Sequence, residues 1–333
     1  MIPAAITGAS LVVPSRPGDP SLHVLGGISR EPLGIDAMLE TRIHARMRRR
    51  LTRLGAMVVG GAISALDDAG LGDPAVQTDI ASIFGTSYGE IAVACRIFES
   101  GLDAGMSPTA FHNSVHNAAL GYLCMLTGLR GPSLSISDSM LSGEESVAEA
   151  VVLLEEGAAS AVVAGSGDES CPSMFSPCWR WGEDAPRQTA RRIESGDRLV
   201  TDEGCGFIVL EGEDHAARRQ ARVLARIADI ARGGDLASAL GRVAPGKVDL
   251  VIAPAGLDRE TDPGVAAAVR EVLGPDVEIA SEGTEFGYVP ASGIIRCVLG
   301  LRRLGEGAST VIVAGIDLDG HAAAIRLSRG GEG

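Results

Sequence analysis

Hydrophobic and polar positions along the chain fall into two kinds of segment. Short apolar or alternating runs predict strands, and longer segments closed by residues such as Gly70 and Gly128 predict helices. The predicted strands cover residues 2–13, 79–87, 133–137, 158–167, 202–211, 223–231, 248–254, 277–280, 310–317 and 322–327, and the predicted helices cover 54–69, 90–101, 111–126, 140–156, 215–222, 264–273 and 293–304. Because strands and helices alternate throughout, the pattern predicts a five-layered α/β/α/β/α unit with two halves, residues 1–231 and 232–333.

The stretch from Pro108 to Glu145 carries the strongest local signals. Its first part is apolar and predicts a buried or interface helix that ends at Gly128, and Gly and Pro at 131–132 predict a tight turn. Residues 133–137 then alternate polar and apolar positions, as a short strand does. A polar elbow and a new helix follow. A strand, a sharp turn and a helix N-terminus together present one side chain to a pocket and offer backbone N–H groups to an anion.

At these residues the chain resembles the β-ketoacyl synthases of the thiolase superfamily. Their nucleophile segment, Gly-Pro-Ser-x-Ser-Ile-Ser-(Ser/Thr)-Ala-Cys, aligns without a gap with Gly131 to Met140. The run Pro-Thr-Ala-Phe-His-Asn-Ser-Val-His-Asn-Ala-Ala-Leu-Gly-Tyr looks closest to the branch associated with aryl-polyene and other highly reducing type II systems. Many members of that branch are the non-condensing partner called the chain-length factor. The resemblance covers nearly the whole chain and implies the thiolase fold, with a C-terminal half shortened near Gly233 and Glu306.

The resemblance also locates three catalytic positions. A condensing ketosynthase needs a thiolate to hold the acyl chain and two imidazoles to promote decarboxylation and stabilise the developing charge. In this chain the cysteine position is Met140, the first histidine position is Pro254 and the second is Gly287. All three residues lack the required chemistry, so the resemblance implies a subunit that does not condense.

Other candidate groups leave alternatives open. Ser139 or Ser142 could serve as an acyl nucleophile in a serine-dependent acyltransferase or divergent condensing enzyme, provided that a base lies within reach. His112 and His116 are four residues apart, so on a helix they would share a face. They could form a metal pair, supply a base for Ser139 or, as we favour, provide polar lining or an interface. We expect no metal and no cofactor.

Composition narrows the classes of function. A net charge of −14 argues against nucleic-acid binding, because such binding needs a basic surface. No apolar stretch is long enough to span a membrane, and the N-terminus lacks the pattern of a signal peptide, so we expect a cytoplasmic protein. The six cysteines are scattered and are expected to be free thiols. The irregular segment from Cys171 to Leu199 predicts a loop that caps a pocket or contacts a partner.

The resemblance therefore implies a chain-length factor that forms a heterodimer with an active ketosynthase and meets the acyl carrier protein through that complex. Related chain-length factors place tunnel-gating side chains near the first turns of the helix before the interface strand. Here those positions are Phe111, His112, Asn113, Val115 and His116. Ordinary core packing of Phe111 and Val115 is the alternative. A third hypothesis is a homodimeric, purely structural protein of the same fold.

Overall fold

The strands of the chain join into one continuous, twelve-stranded sheet in a computed structural model that describes residues 4–14, 21–27, 32–73, 79–100, 107–171, 203–254, 261–281, 289–317 and 319–330. The strands are β1 Ala4–Pro14, β2 Leu22–Gly26, β3 Leu33–Gly34, β4 Ile80–Gly85, β5 Ser133–Ile136, β6 Ala161–Asp168, β7 Gly204–Gly212, β8 Ala225–Gly233, β9 Leu250–Ile252, β10 Glu278–Ala280, β11 Thr310–Ile316 and β12 Ala322–Arg329. Their order is β10-β9-β11-β12-β8-β1-β7-β6-β4-β5, and β2 joins β3 to β1.

Eleven α-helices accompany the sheet in the described ranges. They are α1 Ile35–Arg42, α2 Ala45–Arg48, α3 Arg53–Asp68, α4 Ile91–Glu99, α5 Pro108–His112, α6 Ala118–Thr127, α7 Ser142–Glu155, α8 Glu213–Arg218, α9 Leu236–Val243, α10 Thr261–Leu273 and α11 Gly293–Glu306. Most were predicted in order and type, with ends shifted by a few residues. The β2–β3 hairpin and helices α1 and α2 were not predicted, because their short segments carry no clear period.

The sheet repeats one pattern from each of its two ends. At one end β5, β4 and β6 run parallel, and β7 and β1 follow antiparallel. At the other end β10, β9 and β11 run parallel, and β12 and β8 follow antiparallel. Strands β1 and β8 pair in the middle. The predicted boundary after residue 231 falls within β8, and the division of the chain into two domains stays a prediction.

Three apolar clusters separate the layers. Helices α7 and α11 contribute Val147 and Val298 to a central cluster that also contains residues from both parts of the sheet. Helices α3 and α6 cover one outer face through residues such as Met57 and Leu123. Helices α9 and α10 cover the other outer face. This is the predicted α/β/α/β/α order, with α7 and α11 as the inner helix layer.

Candidate functional site

The predicted elbow forms between β5 and α7. After Ile136 the chain leaves the sheet, passes through a 3₁₀ turn at Ser139–Leu141 and enters α7 at Ser142. Ser139 has a φ angle of +49°, a left-handed conformation that is uncommon for a residue with a side chain. Met140, at the nucleophile position of the alignment, follows it and is half-buried. The elbow is therefore sharp and strained, and it presents a thioether.

Hydrogen bonds around Ser142 hold this turn. The Ser142 hydroxyl accepts from the backbone N–H of Asp138 at 2.9 Å and lies 2.7 Å from the carbonyl oxygen of Ser139, to which it donates. Ser87, in the turn after β4, donates to the same carbonyl oxygen at 2.7 Å. Since Ser142 is fully buried and engaged with the backbone, its hydroxyl stabilises the elbow. It is not placed as an exposed nucleophile.

A buried ion pair lies behind the elbow, where α7 meets α11. Glu144 in the first turn of α7 accepts a hydrogen bond from Arg296 of α11 at 2.5 Å, and the two side chains are only 1% and 2% exposed. Arg296 also donates to the Ser292 hydroxyl at 2.8 Å. A Cβ atom on Gly143 would lie 2.7 Å from the Cα atom of Gly293, so the two helices approach as closely as glycine allows. The pair therefore ties the two inner helices together.

Asp168 links the turn after β4, which contacts the elbow through Ser87, to the segment before α11. Its buried carboxylate accepts from the Thr86 hydroxyl at 2.6 Å and from the backbone N–H groups of Ser87, Tyr88 and Ala291 at 2.9–3.0 Å. Burial raises the pKa of Asp168, and these four hydrogen bonds act in the opposite direction. The carboxylate thus fixes the turn that carries Ser87 and joins it to the segment before α11.

Buried carboxyl groups also lie where α3 and α4 begin. Glu90 accepts from the Thr52 hydroxyl at 2.7 Å, and Thr52 in turn caps α3 by accepting from the backbone N–H of Gly55. Burial raises the pKa of Glu90 to about 8, and the negative charge of Glu169 adds to the rise. Burial likewise raises the pKa of Glu169. Glu90 is therefore an acid that holds its proton near neutral pH.

The proposed tunnel residues lie at a break between two helices, so the predicted continuous helix over 111–126 is wrong. Helix α5 ends at His112 and α6 begins at Ala118. At the break, the buried Asn113 side chain accepts a hydrogen bond from the Tyr122 hydroxyl at 2.9 Å, which ties this segment to α6. Consequently Phe111 with Val115, and His112 with His116, do not share a helical face.

These five side chains differ in their exposure. Phe111 is 60% exposed and Val115 is 40% exposed, whereas Asn113 is buried. His112 is exposed and packs edge-on against the Tyr122 ring, with 6.4 Å between ring centroids. His116, also exposed, lies against Gly89, where an added Cβ would be 3.0 Å from the imidazole. Their roles as tunnel residues stay a prediction, although Phe111 and Val115 are not core.

Of the three positions that the resemblance assigns to catalysis, Met140 and Pro254 fall in described residues. Pro254 is buried directly after β9. Gly287 lies outside the described residues, as does almost all of the predicted cap loop from Cys171 to Leu199. Within the described ranges no three His, Cys, Asp or Glu side chains are grouped as metal ligands would be. No helix described in the structure is long and apolar enough to cross a membrane.

In the described part of the chain, strand β5 forms one end of the sheet and pairs only with β4. Leu134 is 37% exposed and Met125 of α6 is 57% exposed, and both are among the exposed large apolar side chains. Behind the strand, the Cys124 thiol lies 3.3 Å from the Ser82 hydroxyl and 3.5 Å from that of Ser133. Leu134 and Met125 therefore give this end of the sheet two exposed apolar side chains.

Sequence reasoning did not identify Asp168 or the Glu144–Arg296 pair. The run Gly165-Ser166-Gly167 before Asp168 predicts a buried strand. It does not predict a serine-hydrolase site, because it lacks the spacing of a Gly-x-Ser-x-Gly elbow. Glu144 and Arg296 are 152 residues apart in the chain. The sequence offers one weak signal for their contact, which is that Arg296 stands among apolar residues at the start of its helix.

The chain matches one protein family and several known proteins in sequence. The family model described as beta-ketoacyl synthase, N-terminal domain, matches residues 33–221. The 3-oxoacyl-[acyl-carrier-protein] synthase 2 of Vibrio harveyi is 26% identical over 286 residues, which cover 79% of this chain and 64% of that protein. Nodulation protein E of Rhizobium leguminosarum bv. trifolii is 34% identical over 121 residues, 36% of this chain and 30% of that protein. The chain thus spans less than two thirds of the length of these relatives.

Solved structures extend the likeness over the whole fold. The ishigamide ketosynthase/chain length factor matches with a TM-score of 0.79 at 17% identity, covering 99% of this chain and 100% of that chain. A type II polyketide synthase acyl-carrier protein in complex with its ketosynthase matches with a TM-score of 0.71 at 17% identity, covering 98% and 99%. The five-layered arrangement is therefore the thiolase fold of ketosynthases.

Proposed function

The chain belongs to the β-ketoacyl synthase family, and we propose that it is a non-condensing subunit, a chain-length factor that pairs with an active ketosynthase. In this role it shapes the tunnel that holds a growing polyketide or polyene chain in a cytoplasmic type II system. The acyl carrier protein is then engaged through the complex. No metal or cofactor has a part in this role.

The observation that carries the proposal is the side chain at the elbow. The turn that positions the family's nucleophile is formed here, with Ser139 strained at +49° and Ser142 holding its backbone, but the next side chain is that of Met140. A thioether has no proton to lose and cannot form a thioester. A sharp turn therefore lies at the aligned nucleophile segment, and the side chain at the aligned nucleophile position cannot hold an acyl group.

The charges behind the elbow are balanced within the fold. The N-terminus of a helix favours negative charge on a bound group or thiolate. Here the first turn of α7 carries two buried carboxylates, Glu144 and Glu145, which pair with Arg296 and Arg232. Because an arginine balances each carboxylate, these two ion pairs bind the first turn of α7 to α11 and β8.

The exposed end of the sheet supports a partner. Among the described strands β5 pairs only with β4, and the side chains of Leu134 on β5 and Met125 on the neighbouring α6 are exposed and apolar. An unpaired edge of this kind pairs readily with another chain. Obligate interfaces bury upwards of about 2,000 Å², so β5 supplies only part of the contact and the surfaces around Phe111 and Val115 supply more.

A serine-dependent acyltransferase is the second candidate, and one observation favours it. Ser139 is exposed at the strained position of the elbow, directly before the nucleophile position. A serine hydroxyl needs a base to become nucleophilic. No imidazole hydrogen-bonds to Ser139 in the described part of the chain, where His116 instead lies against Gly89.

Reconstitution with a type II ketosynthase and its acyl carrier protein tests the proposal. We expect the two chains to purify as a stable 1:1 complex whose polyketide product requires the ketosynthase cysteine. The isolated chain, incubated with an acyl-carrier-protein thioester, should gain no acyl mass. Acylation that disappears in Ser139→Ala but persists in Ser142→Ala would support the acyltransferase instead.

A further inference from the structure

A cavity of about 560 Å³ lies where the β2–β3 hairpin and α1 meet the start of α3. Its volume is within the range of sites that bind small molecules. Apolar side chains from these elements and from the turn before α3 form part of the wall, namely Leu22, Ile35, Leu39, Leu51 and Ala56. Polar side chains, chiefly His23, Asp36 and Arg48, complete it. None of the described lining residues belongs to the elbow, to β5 or to the proposed tunnel, so the cavity is a separate feature.

Two nitrogen atoms at this cavity lack a hydrogen-bond partner among the described residues. They are Nδ1 of His23 and Nε of Arg48, and both are covered from solvent. Arg48 donates through Nη1 to the exposed Glu40 at 2.9 Å, which leaves its Nε–H available. A covered polar atom without a partner costs free energy. Because both side chains are only part-buried, each can turn this nitrogen towards the cavity and bond to an acceptor on a bound molecule.

The charges around the cavity favour a bound molecule with a single negative charge. The Arg48 guanidinium attracts an anion, and the sixteen-residue helix α3 begins at the same cavity with Thr52 as its N-cap, which adds the positive end of the helix dipole. Arg53 is already engaged, since its Nε donates to Glu203 at 2.6 Å. The exposed carboxylate of Asp36, which also lines the cavity, would repel a second negative charge. A monocarboxylate therefore suits these charges better than a phosphate.

We propose that this cavity binds a monocarboxylate that carries a short apolar chain. The carboxylate accepts hydrogen bonds from Arg48 Nε and from His23 Nδ1, and the chain packs against apolar side chains such as Leu39 and Leu51. The bound molecule thereby joins the hairpin and α1 to the start of α3, and its binding stabilises the folded chain by mass action. This site lies beyond the proposed function and does not depend on it.

Isothermal titration calorimetry of the full chain with sodium octanoate tests the site. We expect saturable 1:1 binding with a dissociation constant of about 1 mM or lower. Octanamide has the same chain without the charge, so it should bind at least about tenfold more weakly. Acetate has the charge without the chain, so its binding should be too weak to measure over the same range. The two comparison compounds separate the contribution of the carboxylate from that of the apolar chain.

Three variants locate the binding. Arg48→Gln removes the charge that faces the carboxylate and should weaken octanoate binding by about ten- to thirty-fold. Its matched control, Arg46→Gln, removes the same charge from an exposed position on α2 that does not line the cavity, and it should bind octanoate as the wild type does. Ala56→Met keeps His23 and Arg48 but fills the apolar part of the cavity, so it should also weaken binding. Circular dichroism checks that each variant is folded.

Each outcome decides for or against the site. Selective loss in Arg48→Gln and Ala56→Met, with normal binding in Arg46→Gln, would support it. A wild-type chain that does not bind octanoate at about 10 mM would overturn it. Equal affinity for octanamide would show apolar adsorption without recognition of the carboxylate, and equal loss in Arg46→Gln and Arg48→Gln would show general attraction to the basic surface. Either result would overturn the inference and would leave ketosynthase binding, which is measured separately, unaffected.

Discussion

At one end of the sheet β5 lies beside β4 and leads through the elbow into α7, and at the other end β10 lies beside β9 and precedes α11. Strand β10 has three residues and begins with Glu278, whose carboxylate binds Arg303 of α11 at 2.5 Å. Strand β5 instead exposes Leu134 between serines. A charged side chain on an edge strand disfavours pairing with other chains, and the equally short β5 carries no charged residue. The two ends of the sheet thus differ in the charge of their edge strands, and we propose β5 as the docking edge.

The two inner helices, α7 and α11, carry buried side chains of opposite charge. Helix α7 contributes the buried Glu144 and α11 contributes the buried Arg296. A buried charge that loses its partner is strongly destabilising, whereas replacement of both by apolar residues is often tolerated. The pair therefore makes the stability of the two parts depend on each other.

Breaking this buried pair should have the largest effect. Glu144→Ala leaves the Arg296 guanidinium buried without its carboxylate, and we expect the free energy of unfolding to fall by about 3–5 kcal/mol. Urea denaturation measures the change. The double variant Glu144→Met with Arg296→Leu should recover much of the loss. If Glu144→Ala unfolds at the wild-type midpoint, the pair does not connect the two parts.

A change of charge on β5 and, separately, on β10 should show which of the two strands binds a ketosynthase. Leu134→Asp places a carboxylate in the proposed interface, and we expect ketosynthase binding to weaken by about 100-fold, or ~2.7 kcal/mol, with little change in stability. The matched variant Glu278→Lys alters the exposed charge on β10 and should leave binding unchanged. Isothermal titration calorimetry with a type II ketosynthase compares the two. Equal loss of affinity in both variants would mean that β5 is not the docking edge.

Carboxyl groups at the two ends should give opposite pH dependence. Burial raises the pKa of Glu90, in the turn after β4, from 4.5 to about 8. The folded state therefore binds the extra proton, and this contribution to stability is lost as pH rises from about 4.5 to 8. The hydrogen bond from Lys247 lowers the pKa of Asp249, directly before β9, from 3.8 to about 2. That contribution is present above about pH 4 and is lost as pH falls towards 2.

Two amide variants test this difference in thermal melts between pH 2 and pH 9. Glu90→Gln keeps an acceptor for the Thr52 hydroxyl and has no proton to release, so it should reduce the decline in stability above pH 4.5. Asp249→Asn should change only the acid side of the profile. A wild-type slope in Glu90→Gln would show that Glu90 titrates normally.

The smallest expected change in stability is at the proposed tunnel. Phe111 is 60% exposed, so Phe111→Ala should cost less than about 1 kcal/mol. If Phe111 limits the tunnel in the complex, the same variant should lengthen the product made with a ketosynthase, because a removed side chain leaves room for further two-carbon units. Mass spectrometry of the products checks this, with Phe98→Ala on exposed α4 as the control. An unchanged product across all five proposed positions would place the gate elsewhere.

Much of the fold followed from local sequence signals, and the exceptions have physical causes. The alternation of Ser133 to Ile136 after Gly131 and Pro132 predicted β5 and its elbow, because strand periodicity and turn residues are local. The helix break after His112 was not predictable from apolar content, and the Asn113–Tyr122 hydrogen bond lies at that break. The contact between Glu144 and Arg296 depends on how two distant helices pack.

The central claim is that this chain assists condensation without carrying the acyl group. Its most direct test is the intact mass of both subunits after the reconstituted complex is incubated with an acyl-carrier-protein thioester. If this chain is non-condensing, we expect an acyl adduct on the ketosynthase cysteine alone. Even Met140→Cys, incubated without a ketosynthase, should yield no ketoacyl product, because neither Pro254 nor Gly287 offers an imidazole. An acyl adduct on the wild-type chain, at Ser139 or elsewhere, would contradict the claim that this chain carries no acyl group.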